Sequence, residues 1–180
     1  MKFQFSLTII SFLLFTEVTL SQNYYRLTNG PVLISGIYND SLIIAESNSL
    51  YFIFDYQTNE VNFNLPVKSL KSNNYQIDSL IKKEFENEIT FKGKIIGEYD
   101  ATKEHPPLFV VVEGDLEYDN YVIPLSFNAT ITHLKSGSAS CNFSATINMD
   151  ITKYFDEMEK KGIEKSINII FNELILYKIN

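Results

Sequence analysis

Cysteine is nearly absent from this chain, which carries a single one in 180 residues. No disulfide can therefore form within the chain, even in an oxidising compartment. Cys141 lies in an apolar, strand-like stretch with no general base nearby in the sequence, so we expect a small buried side chain and not a nucleophile. The hydrophobic core alone has to stabilise the fold.

Basic residues are also scarce, because 15 Lys and Arg stand against 22 Asp and Glu, for a formal net charge of -7. Proteins that bind nucleic acid usually present a basic patch to the phosphates, so this balance argues against nucleic acid as a partner. An uncharged apolar ligand needs no opposite charge and stays compatible with the composition.

Chemical motifs are missing too. The chain has no Gly-x-Ser-x-Gly, no P-loop and no dinucleotide fingerprint. His105 and His133 have no Cys, Asp or Glu at metal-ligand spacing, so we expect both on the surface and no metal site. None of these patterns supports a catalytic function, and an enzyme that uses a polar group inside the mouth of a β structure is the weakest hypothesis for this chain.

A long apolar run is found only at the amino terminus, where Leu7 to Phe15 follow the positively charged Lys2. The small residues Thr19 and Ser21 then precede Gln22, which is typical of a secretory signal peptide over residues 1–21. A transmembrane helix needs about 20 apolar residues, and no later segment offers them. We expect a single mature domain, residues 22–180, in the periplasm or secreted.

Alternation with a period of two dominates the mature chain, which is rich in aromatic residues (14 Phe and 11 Tyr). Residues 61–67, 125–131 and 143–151 each place an apolar side chain at every second position, as amphipathic strands do. Weaker strand patterns lie at 32–44, 50–56, 89–95, 108–118 and 167–171.

Helical spacing appears in Tyr75–Glu86, and the charged segment Tyr154–Lys165 predicts a second short helix or turn. Short polar turns, such as Gln57–Glu60, Asp119–Asn120 and Lys135–Ser138, join the strands as antiparallel neighbours. The pattern predicts an all-β antiparallel fold of about eight strands, and on its own leaves open a sandwich or a closed barrel.

Four segments carry a family resemblance through their order and spacing: Asn59–Leu70, Thr90–Ile96, Val112–Leu116 and Val122–Phe127. Together they resemble the YceI-like family of exported polyisoprenoid- or lipid-binding proteins, from about Gly30 to the end of the chain. The departures fall in loops: no His lies between Tyr75 and Ile89, and Tyr118-Asp119-Asn120 replaces a turn that usually contains His-Gly.

The resemblance implies a lipocalin-like barrel that holds the apolar tail of an isoprenoid quinone or a fatty acyl lipid, with no other cofactor. It also implies that the protein has no catalytic activity of its own. It leaves the oligomeric state open between a monomer and a homodimer. Ligand contacts are expected among the inward side chains Phe52, Phe54, Phe63, Leu65, Phe91, Val110, Val112, Leu125, Phe127, Phe143, Ile147 and Phe171.

A filled barrel is the alternative reading of the same residues, because the interior of a small barrel is often occupied by its own side chains. The protein would then be a structural or adhesion module that binds a protein partner through its outer surface. The two hypotheses differ in the interior that they require. A lipid-binding barrel must contain a cavity, whereas a structural or adhesion module does not need one.

Overall fold

The computed structural model describes residues 24–97, 106–134, 140–151 and 163–179. The predicted signal peptide, the Lys135–Ser138 turn, His105 and most of the segment Tyr154–Lys165 lie outside these ranges. None of the helical structure within them is long and apolar enough to cross a bilayer.

Strands account for most of the described chain, and their inward faces follow the predicted alternation. The strands are β1 (Tyr24–Tyr38), β2 (Ser41–Asp55), β3 (Glu60–Pro66), β4 (Lys71–Ser72), β5 (Glu88–Ile96), β6 (Leu108–Tyr118), β7 (Tyr121–Leu134), β8 (Ser140–Asp150) and β9 (Ile163–Ile179). A 3-10 turn (Val67–Ser69) follows β3, and the helix α1 (Tyr75–Glu84) lies between β4 and β5.

The sheet closes on itself. Its order is β1-β9-β8-β7-β6-β5-β3-β2, and β2 pairs back onto β1, so eight strands form a ring in which each neighbouring pair is antiparallel. The short β4 pairs with β2 outside this ring. The fold is therefore the closed antiparallel barrel, and the sandwich is excluded.

Tight turns bring two hairpins to one end of the barrel. β1 and β2 are joined by Asn39 and Asp40, whose φ angles of 47° and 59° are those of a two-residue turn with left-handed residues. Such turns match the right-handed twist of the strands that they join. β6 and β7 are joined by Asp119 and Asn120 at the same end, where β3 also ends. We call this the helix end, because α1 lies there, and the opposite one the far end.

Bulges interrupt the alternation in β1, between Leu27 and Gly30, and also in β2 and β9. In β2 the buried residues Ser47 and Leu50 are three positions apart, and the pairing with β1 shifts between them. In β9 the same happens between Phe171 and Leu174. Each bulge changes which residues face inward, so β9 extends its apolar face well beyond the predicted stretch that ends at residue 171.

Candidate ligand-binding cavity

The helix α1 covers the helix end of the barrel. Its first turn is capped by Asn74, whose side-chain oxygen accepts hydrogen bonds from the backbone N–H groups of Gln76 (2.9 Å) and Ile77 (3.3 Å). Ile77 and Ile81 lie one turn apart on the same face of the helix; Ile77 is buried and Ile81 packs against the barrel core. The apolar face of α1 is thus turned toward the barrel interior.

Hydrogen bonds between Asp78 and Ser72 tie α1 to the barrel. The Asp78 carboxylate accepts from the backbone N–H and from the hydroxyl of Ser72, both at 2.8 Å. Ser72 belongs to β4, which pairs with Ala45 and Glu46 of β2. These hydrogen bonds, donated by the backbone and side chain of Ser72, lower the pKa of Asp78, with smaller contributions from Lys82 and Lys71.

Acidification should therefore weaken this connection. Because the pKa of Asp78 in the folded protein lies below its ordinary value of 3.8, its contribution to stability is present above that value and is lost as the pH falls through the folded pKa. We expect wild type to lose more unfolding free energy than Asp78→Asn between about pH 6 and about pH 2.5. Urea titrations at both pH values measure the difference; equal losses in the two proteins would contradict it.

A cavity of about 180 Å³ lies between α1 and the barrel strands. Its lining is apolar and contains no charged side chain among the described residues; the only side-chain polar groups are the hydroxyls of Tyr38 and Tyr118. The lining consists of Ile34, Gly36, Ile37, Tyr38, Ile43, Ala45, Val67, Leu70, Ile77, Leu80, Ile81, Phe85, Ile89, Leu116, Tyr118, Ile123, Met149, Ile151 and Ile167.

The phenol of Tyr118 stays uncharged at neutral pH. Burial raises its pKa above 10.0, and the nearby Asp119 adds to the effect, while a hydrogen bond with the backbone of Asn87 acts in the opposite direction. The cavity therefore offers no charge to a ligand. A charged head group has no partner in this lining and would have to stay at the rim or in solvent.

The size of the cavity defines what it can hold. An apolar protein cavity of about 150 Å³ stays dry and binds benzene, so the present cavity has room for one compact apolar group. A complete polyprenyl chain is far larger than this space. The geometry suits the end of a chain or a single ring.

The predicted ligand-contacting residues all face the barrel interior, but none of them lines this cavity. They lie deeper, between the cavity and the far end. Most are buried to 2% exposure or less, namely Phe52, Phe54, Phe63, Leu65, Phe91, Val112, Phe143, Ile147 and Phe171. Phe127 is also buried, while Val110 and Leu125 are half-buried and pack against the core.

Aromatic rings fill the middle of the barrel. Phe52 lies 4.8 Å from Phe143 and 5.9 Å from Phe171 between ring centroids. Phe63 stacks on Phe91 at 5.0 Å and meets Phe171 edge-on at 5.1 Å. These distances are those of directly packed aromatic pairs. The contact of these residues with a ligand stays a prediction, whereas their contact with one another is observed.

A second cluster of ring side chains, Tyr25, Tyr56 and His133, lies at the far end, and it corrects the expectation for His133. This residue is half-buried on the inward face of β7, not on the surface, with its Nε2 atom 3.1 Å from the hydroxyl of Tyr56. The Tyr25 ring packs against Tyr56 at 4.7 Å. The alternation of β7 continues to residue 133 and indicates an inward position for it. The prediction was wrong because it assumed that a histidine near the end of a hairpin would be exposed.

Cys141 pairs with His133 across β7 and β8 and is fully buried, as expected. Burial raises the pKa of its thiol to about 12, and a hydrogen bond with Tyr56 opposes this only in part. We therefore expect a chromogenic disulfide reagent near neutral pH to leave the native protein unlabelled and to label every chain in denaturant. Equal labelling rates in the two conditions would contradict this burial.

Comparisons with known proteins identify the fold but no family. No family model matches the chain, and no curated protein matches it significantly. Among solved structures, the chain is similar to a polyisoprenoid-binding domain from Saccharophagus degradans implicated in plant cell wall breakdown, with a TM-score of 0.67. The alignment covers 88% of this chain and 99% of that domain, at 10% sequence identity.

The fold is therefore a closed antiparallel barrel with the same strand arrangement as this polyisoprenoid-binding domain. At this level of identity the similarity concerns the arrangement of strands and does not extend to individual residues. What this chain binds has to be argued from its own cavity.

Proposed function

We propose that this protein binds the apolar part of an isoprenoid or acyl-chain amphiphile in the cavity beneath α1. The observation that carries the proposal is a wholly uncharged cavity of about 180 Å³ at one end of the closed barrel. Each methylene group removed from water contributes about 0.8 kcal/mol, so a short apolar segment gains affinity here without an ion pair. The similarity to a polyisoprenoid-binding domain supports the same class of ligand.

A carrier or sequestering role, rather than catalysis, agrees with this lining. Apart from the phenols of Tyr38 and Tyr118, the described side chains that line the cavity are apolar, so it is suited to holding an apolar group away from water.

Native mass spectrometry of protein purified from its own source, without detergent, tests the proposal. We expect a co-purifying apolar molecule, and we expect geraniol and octanol to displace the fluorescent probe N-phenylnaphthylamine from the emptied protein. If no apolar molecule co-purifies and no alcohol displaces the probe, the proposal is wrong.

Export is a separate part of the proposal, and it depends on the leader predicted over residues 1–21. We expect the mature protein from its natural source to begin at Gln22 and to lie outside the cytoplasm. Amino-terminal sequencing of the fractionated protein measures both. A cytoplasmic protein that retains Lys2 would contradict export without affecting the lipid-binding proposal.

Binding of a protein through the outer wall is a second candidate function, favoured by one observation. Phe109 is 86% exposed on the outer face of β6, and Ile96 and Val111 pair beside it on the same wall with exposures of 52% and 38%. A second copy of the chain is the simplest partner for such a surface. We expect light scattering to show that the protein self-associates and that Phe109→Ser abolishes this self-association. A protein that stays monomeric at every concentration would exclude a second copy as the partner.

A further inference from the structure

On the side formed by β3, β5, β8 and β9, the bottom of the cavity is a layer of buried side chains, which we call the floor layer: Leu65, Phe91, Ile147 and Ile169. Each lies two positions along the chain from a residue of the cavity lining, these neighbours being Val67, Ile89, Met149 and Ile167. The floor layer is buried to 1% exposure or less. Through Phe91, which stacks on Phe63, the floor layer continues directly into the aromatic rings in the middle of the barrel.

Phe91 is held in place from three sides. Its ring stacks on Phe63 at 5.0 Å with 15° between the ring planes, and it lies 5.6 Å from Phe127. The absence of a side chain at Gly93 provides the space for the ring, since a Cβ atom there would lie only 2.5 Å from the Phe91 Cζ atom. A ligand that pushed deeper would have to displace this ring and break both aromatic contacts.

Ile147 and Ile169 form the opposite part of the floor layer. They pair directly across β8 and β9, and the next pair toward the cavity is Met149 with Ile167, both of which line it. Below them lies Phe171, which is itself packed against Phe52 and Phe63. Close-packed interiors do not yield to an inserted chain without loss of such contacts.

We propose, on the basis of the function proposed above, that the floor layer limits the length of the apolar chain that the protein can bury. The preferred ligands are compact or short, of the size of hexanol, octanol or a single terpene unit, and not long polyprenyl chains. Methylenes beyond the capacity of the cavity stay outside it and add little to the affinity.

A series of straight-chain alcohols tests the proposal on the full-length mature protein. From butanol to hexanol we expect each added methylene to tighten binding about four-fold, which is the affinity equivalent of burying one methylene. From octanol to dodecanol we expect the dissociation constant to change less than about two-fold per methylene, because the added carbons remain in water. Displacement of N-phenylnaphthylamine below the micelle concentration measures the whole series.

Ile147→Ala and Ile131→Ala form a matched pair for the same measurement. Both positions are buried isoleucines, but Ile147 belongs to the floor layer, whereas Ile131 lies on β7 toward the far end, opposite Phe143. Removal of the Ile147 side chain deepens the cavity by about two methylenes, so decanol should bind roughly ten-fold more tightly. Ile131→Ala should leave decanol binding at the wild-type level. If Ile147→Ala does not fold, Ile147→Val gives a smaller shift in the same direction.

The outcomes separate the two proposals. Four-fold gains that continue through dodecanol in wild type, or equal gains in the two variants, would overturn the length limit and leave the lipid-binding function intact. If none of the alcohols binds, both proposals are wrong. A plateau after octanol that moves to longer chains only in Ile147→Ala would establish the floor layer as the determinant of ligand length.

Discussion

Replacing Ala45 with phenylalanine is expected to weaken octanol binding about a hundred-fold or more, the loss of roughly four buried methylenes. Ala45 is 5% exposed and lines the cavity from β2, opposite Ile34 of β1. Since a cavity of about this size accommodates one benzene ring, the new side chain would occupy the ligand's space. The barrel should stay folded, because the added ring enters a void and not a packed core.

Ala129→Phe is the matched control for Ala45→Phe. Ala129 is a buried alanine on β7 that faces Ala145 of β8, away from the cavity lining. Ala129 is buried and does not line the cavity, so overpacking there should cost about 1–3 kcal/mol of unfolding free energy. Molecules that remain folded should bind octanol normally. Wild-type binding by Ala45→Phe, measured by probe displacement, would refute the location of the site.

Phe52→Ala is expected to destabilise the protein by about 3–5 kcal/mol, the largest effect on stability that we predict for a single residue. The Phe52 ring is fully buried and contacts the rings of Phe143 and Phe171, so its removal leaves a void in the middle of the barrel. The surrounding rings belong to strands that close the barrel and cannot collapse freely into that void. Chemical denaturation with a two-state fit measures the loss.

Phe109→Ala provides the comparison for Phe52→Ala. The same side chain is removed, but Phe109 is 86% exposed, and exposed positions usually change stability by less than about 0.5 kcal/mol. A loss below about 1 kcal/mol for Phe52→Ala would mean that the interior is not packed as described.

The sequence determined the inward faces of the strands with good accuracy. The apolar residues Val61, Phe63 and Leu65 alternate with polar residues along β3, and these three apolar side chains are buried as predicted. The short turns predicted antiparallel neighbours, and each pair in the barrel is antiparallel. Closure could not be predicted from alternation, because it depends on the pairing of β1 with β9, which lie at opposite ends of the described chain.

The sequence did not indicate how far along the barrel axis each inward side chain lies, and the location of the cavity depends on that position. Phe63 and Val67 lie on one apolar face, yet only Val67 reaches the cavity. Alternation reports inside or outside but carries no signal for the level at which aromatic rings fill the interior. The apolar face of α1 was a usable signal, since Ile77, Leu80 and Ile81 need a partner surface, and the structure places them over the helix end.

Local departures from regular structure were also invisible in the pattern. Glu173 takes a positive φ of 53° in the β9 bulge, where its backbone N–H donates to the hydroxyl of Ser144 at 3.0 Å. Positive φ angles are uncommon for residues other than glycine, so a glutamate gives no sequence signal for a bulge. The bulge and the added inward residues Leu174 and Leu176 were therefore not predicted.

The location of a bound ligand tests the central claim most directly. A crystal of the mature protein with octanol that carries a bromine at its far end would show the bromine by anomalous scattering. We predict one strong peak inside the barrel, between Ile77 of α1 and Met149 of β8, and above Phe91. A saturated crystal whose peaks all lie on the outer surface would contradict the assignment of the cavity beneath α1 as the ligand site.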